Sequence, residues 1–162
     1  MNRRTAFTLT AMTLMGLAVI ALPQFAFAQS SPLIGTWKLN VEKSKYSPGP
    51  APRSATLTYA QDGQNIRNTS QTVNAQGNQT TVVFLHIYDG QPHPTTGSPL
   101  FDASAYNRLD PNTYAFSRLK GGKLVGVGWA VVSQDGKTWT VTQIGPDANG
   151  RPVNSVAVYD KQ

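Results

Sequence analysis

Apolar and polar residues alternate along nearly the whole chain from Ile34 onward, and no window of about twelve residues there carries a 3.6-residue period. Alternation places successive side chains on opposite faces of an extended backbone, so a chain patterned this way builds antiparallel sheet. The alternating runs are Ile34–Val41, Ala55–Tyr59, Ile66–Val73, TTVVFLHIYD (80–89), SAYNRL (104–109), TYAFSRL (113–119), LVGVGWAVV (124–132), TWTVTQI (138–144) and VNSVAVYD (153–160). Between them stand QDGQ, NAQGN, DPN, KGG, QDGK and GPDANGRP. Asp, Asn and Gly in these positions supply the backbone conformations that hairpin turns require. The segment SKYSPGPAPR (44–53), with three prolines, is expected to be a long, stiff connection and not strand interior.

About nine strands joined by short turns predict an all-β antiparallel meander with at most one short helix. Left open, such a sheet would expose two edges, and closure into a barrel removes them. The expected fold is therefore an up-and-down barrel of about eight to ten strands, wide enough to hold one small ligand. A β-sandwich is the competing architecture, but the chain lacks the long crossovers of Greek keys.

Residues 1–28 read as a signal peptide. Arg3 and Arg4 precede an uncharged apolar run from Ala11 to Leu22, and Ala26-Phe27-Ala28 fits a cleavage site. The apolar run is shorter than the ~20 residues of a spanning helix, so a periplasmic or secreted protein with no integral membrane segment after signal removal is expected. The remaining stretch, 29–162, suits a single domain with one core. Cysteine is absent, which excludes disulfides and thiol chemistry. Without Arg3 and Arg4, 12 Lys+Arg stand against 8 Asp+Glu, a net charge of +4. The basic residues are scattered singly, so no nucleic-acid partner is expected.

The stretches GTWKLNVEKSKYSPGPAP, YDG…TG, LDPNTY, KGGKLVG, DGKTWTVT and DANGRPVNSVAVYDKQ resemble an exported, lipocalin-like (calycin-type) bacterial β-barrel family without established activity. The resemblance runs from Ile34 to Gln162. It implies a barrel in the cell envelope, with the Trp of Gly35-Thr36-Trp37 plugging one end, and it implies no catalytic residues. Gly126, Gly128 and Trp129 depart from the polar pair expected in the seventh predicted strand. Gln91-Pro92-His93 departs from a more hydrophilic run. Both departures suggest a more aromatic interior or mouth.

Both histidines fall in HIYDGQPHPTTG (86–97). Val82, Phe84, His86 and Tyr88 share one strand face, while Val83, Leu85 and Ile87 share the other, and the pattern leaves open which looks inward. An inward His86 suits a general acid or base, with Tyr106, Arg108 and Tyr114 available to bind or polarise a carbonyl or carboxylate. A histidine that only lines the wall is the plainer alternative. His93, between two prolines, is expected in an exposed loop. The spacing of His86, Asp89 and His93 scatters their side chains on a strand, so no metal is expected, and no cofactor motif is present. The aspartates at 62, 89, 110, 135 and 147 fall in turns, where Asp serves the backbone. The glycines of VGVGW lie within a strand and mark barrel curvature or room for a bulky neighbour.

Trp37, Tyr59, Phe84, Tyr88, Tyr114 and Trp129 are the candidate ligand-binding residues, and His86, Tyr106 and Arg108 the candidate catalytic ones. Together they suggest an exported monomer or dimer binding a small hydrophobic, aromatic or carbonyl-bearing molecule. The alternatives are a cofactor-independent isomerase, cyclase or lyase using His86, and an envelope protein-interaction module docking through an apolar outer face. An inward His86 beside Tyr106 or Arg108 favours the enzyme.

Overall fold

The computed structural model describes residues 31–146 and 150–162. Ten strands form: β1 (Gly35–Lys45), β2 (Ser54–Asp62), β3 (Asn65–Val73), β4 (Gln79–His86), β5 (His93–Thr96), β6 (Ala103–Arg108), β7 (Thr113–Lys120), β8 (Lys123–Val132), β9 (Thr138–Pro146) and β10 (Pro152–Lys161). Each pairs antiparallel with its sequence neighbours, and β1 also pairs with β10, closing the barrel. No helix occurs among the described residues. The all-β up-and-down barrel is thus the fold of the chain. The expected signal peptide (1–28) and the Asp147 turn lie outside the described residues.

The tenth strand is β5, and it corrects the placement of His93 in a loop. Val83 pairs with Thr96 and Phe84 with Thr95 on one side, while His93 pairs with Ser104 and Pro94 with Ala103 on the other. Pro94 has only β6 beside it, so its missing N–H takes no ladder bond from β4. His93 is half-buried and its Nε2 lies 2.9 Å from Asp89 Oδ2. The first strand also runs further than expected, through Ser44 and Lys45, leaving 46–53 as the connection. Val41 does not join Trp37 and Leu39 inside. The β1–β10 register shifts between Asn40 and Lys45, and Val41 is left 41% exposed.

Strand parity now assigns the faces. Inward side chains are odd-numbered on β1, β2, β9 and β10, and even-numbered on β3, β4, β7 and β8. On β4 the inner face is Val82, Phe84 and His86. Trp37 is fully buried at one end, and its Nε1–H donates to Leu33 O at 2.8 Å. Leu33, Leu57, Tyr59, Ile66, Tyr114, Val132 and Trp139 pack around it into a closed floor. Burying each such side chain stabilises the fold by about 1.5–3 kcal/mol. Asp89, Asp110 and Asp135 serve the backbone as expected: each accepts from an amide two residues on, at 2.9, 2.7 and 3.0 Å.

Gly128 has a packing reason. A Cβ there would lie 2.1 Å from Thr142 O and 2.4 Å from Phe116 Cζ. The glycine makes room for the Phe116 ring of the neighbouring strand, and not for Trp37 or Trp129.

Candidate functional site

Above the floor the barrel encloses a cavity of about 410 Å³, in the range of small-molecule sites. Its mouth lies at the opposite end from Trp37, edged by Tyr46, Pro52, Thr72, Thr80, Ser155 and the loop 98–101. Strand alternation brings Tyr59, Phe84, His86, Tyr106, Tyr114, Phe116 and Trp139 into its wall. Phe84 stacks on Tyr106 with ring centres 5.5 Å apart, and His86 stacks on Tyr106 at 4.1 Å. Tyr59 meets His86 edge-on at 5.3 Å. Such pairs hold the rings in fixed orientations and give flat apolar surface for a ligand.

Of the expected ligand contacts, Tyr59, Phe84 and Tyr114 line the cavity. Trp37 belongs to the floor beneath it. Tyr88 follows β4, packs on Tyr114 at 5.5 Å and keeps a buried, unpartnered hydroxyl whose pKa burial pushes well up. Trp129 is a correction: it is 46% exposed on the outer wall. Gly126, Gly128, Ala130 and Val132 take the inward positions of β8, so parity turns Trp129 out beside Val127 and Val131. The aromatic departure at this strand therefore does not enrich the interior.

Arg108 is a second correction. It is exposed and donates to Asp110 O at 3.3 Å and Pro111 O at 3.0 Å, tying the β6–β7 turn instead of reaching the cavity. Position 108 ends β6, where the chain leaves the barrel wall.

The arginine that does line the cavity is Arg118. Its guanidinium lies 4.4 Å from the Phe101 ring centre and 5.0 Å from that of Phe116, and Nη1–H donates to Gln143 Oε1 at 2.7 Å. Its Nε–H is buried without a hydrogen-bond partner. Among the described residues, no carboxylate lies within ion-pairing distance of it; Asp62, Asp89, Asp102 and Asp160 pair with other bases. Burial holds its pKa below the ordinary guanidinium value, opposed by the nearby tyrosines 106, 159 and 59. A guanidinium remains protonated through such shifts, so a positive charge faces an aromatic cavity without a counter-charge among the described residues. The signal for it in the sequence is phase: Arg118 stands two residues beyond Phe116 and four beyond Tyr114, on the same strand face.

His86 and Asn68 are the remaining polar groups of interest. His86 is 3% exposed and Asn68 wholly buried, and neither Nδ1 and Nε2 of the histidine nor Nδ2 and Oδ1 of the asparagine has a hydrogen-bond partner in the protein. Burial pushes the His86 pKa down to about 3. At neutral pH the imidazole is therefore uncharged and a weak base, which leaves little driving force for general-base work. His86 does point inward beside Tyr106, as the enzyme reading asked, but the two rings meet face to face and no third group orients the imidazole. His86, Asp89 and His93 do not converge: His93 pairs with Asp89 outside the barrel.

No helix of the described residues is long and apolar enough to cross a membrane. No family model matches the chain, nor does any curated protein sequence. Solved structures do match. Rv2717c from M. tuberculosis superposes with a TM-score of 0.51 at 15% identity, covering 82% of this chain and 94% of that one. Zebrafish ileal bile acid-binding protein, complexed with cholic acid, gives 0.49 at 13% identity over 82% of this chain and all of that one. At 15% identity the likeness to Rv2717c is one of fold alone, a closed antiparallel β-barrel.

Proposed function

We propose that this protein is an exported carrier or sensor that binds one small hydrophobic molecule bearing an anionic group. Arg118 carries this reading: a cation in an aromatic cavity, without a carboxylate beside it among the described residues, has a place for a ligand's carboxylate or sulfonate. A charge held in a cavity without a counter-charge costs stability, and a bound anion offsets that cost. The phenylalanines on either side of the guanidinium favour an apolar body next to the acidic head. Export rests on the leader pattern at 1–28, and the ligand reading stands independently of it. The lowered His86 pKa supports a binder over an acid–base enzyme.

Native mass spectrometry of the protein purified from the cells that make it tests the reading. A retained compound, released on denaturation and ionising as an acid of a few hundred daltons, is the expected result. A released compound that is neutral or cationic would overturn the anionic assignment. A protein that is empty and also fails to take up anilinonaphthalene sulfonate would overturn the cavity as a binding site.

A further inference from the structure

Asn68 and His86 lie on adjacent strands near the closed end of the cavity, two register positions apart on the same face: Asn68 pairs with Phe84, and His86 with Ile66. Both side chains line the cavity wall. Between them they present four buried polar atoms with no hydrogen-bond partner in the protein. Unpaired buried donors and acceptors are costly, and folded proteins rarely keep four together in one place. The cluster is not at the charged end. His86 stacks on Tyr106, whose ring centre is 6.1 Å from that of Phe116, and Phe116 in turn carries Arg118. The polar pair and the guanidinium are thus separated by an aromatic surface.

We propose that Asn68 and His86 form a second polar subsite that receives a hydroxyl or carbonyl group at the far end of the ligand whose acidic head pairs with Arg118. The neutral imidazole has one N–H and one bare nitrogen, and the Asn68 amide has both a donor and an acceptor. Together they match a hydroxyl, which gives one hydrogen bond and accepts others, or a carbonyl, which accepts two. The preferred ligand is a hydroxylated or oxo-substituted aromatic or alicyclic acid: flat, apolar in the middle and polar at both ends. This rests on the proposed function, since it assumes an acid bound at Arg118. It adds that the site discriminates among acids by their distal oxygen.

The test compares naphthoate with a set of hydroxynaphthoates differing in hydroxyl position, titrated into wild type, Asn68→Leu and His86→Phe. At least one hydroxynaphthoate should bind wild type about tenfold more tightly than naphthoate, the gain expected from pairing a buried polar group. Both substitutions should bring the ratio of hydroxynaphthoate to naphthoate affinity, measured within the same variant, to within about twofold, whatever the change in naphthoate affinity itself. Retained naphthoate binding shows that each variant keeps its cavity. If no isomer gains over naphthoate in wild type, or the gain survives both substitutions, the subsite is overturned while the anionic reading stands. If naphthoate and its hydroxy derivatives all fail to bind wild type, the anionic reading falls, and this inference falls with it.

Discussion

His86 makes the energetics of the cavity measurable without any ligand. Its folded pKa of about 3 lies below the ordinary 6.5, so between these values the unfolded chain binds a proton that the folded chain does not. Above pH 6.5 both states are neutral and the group contributes no slope. As pH falls below that value, unfolding is favoured by up to about 1.4 kcal/mol per unit until pH 3. The carboxylates of Asp89, Asp110, Asp135 and Asp160 have pKa values lowered from the usual 3.8, and they act from about pH 5 downward, as the unfolded chain's carboxylates take up protons. Urea unfolding of wild type between about pH 5 and 6.5 should therefore show stability falling with acid, and His86→Phe should flatten this window. A slope unchanged by the substitution would mean that His86 is not held neutral by burial.

Strands explain which site residues could be read from sequence. Alternation fixes that Phe84, His86 and Val82 share a face, but on β4 both faces are apolar, and only closure of the barrel says which looks inward. The same limit hid Trp129. Its own strand alternates apolar residues with glycine and alanine, and the small residues are the inward ones because Phe116 fills the space before Gly128. A rule that sends large rings to the core fails there, for the core at that level is already occupied from β7. Arg118 was legible in principle, being in phase with Tyr114 and Phe116, yet a charged residue near a Lys-Gly-Gly turn reads as solvated. Asn68 likewise looked like one more polar residue in a polar strand. β5 was missed because two of its four residues are a half-buried histidine and a proline. The Gly128 account is open to test: Gly128→Ala should lower stability by about 1–3 kcal/mol in urea unfolding, since its Cβ meets a carbonyl as well as a ring. Near-neutral stability would mean that β8 has room the packing denies.

At the scale of the whole molecule, the fold was legible because every level of the sequence points the same way. Hairpin turns at short intervals, a uniform period of two and the lack of long crossovers leave few ways to bury one face other than closure. Trp37 then closes one end, and the stiff 46–53 connection and the 98–101 loop border the other. What remains is an aromatic chamber with a fixed positive charge and, deeper in, unpaired hydrogen-bonding groups. A packed, ligand-free core would have little use for either, since both lower stability when left unpaired.

The most direct measurement is the affinity of naphthoic acid and of its neutral methyl ester for wild type and for Arg118→Met, by calorimetry at neutral pH. Wild type should prefer the acid by about tenfold or more, the gain expected from a desolvated charge pair, and Arg118→Met should bind both within about twofold of each other. Equal affinity for acid and ester in wild type, or a preference for the acid that survives in Arg118→Met, would contradict the account.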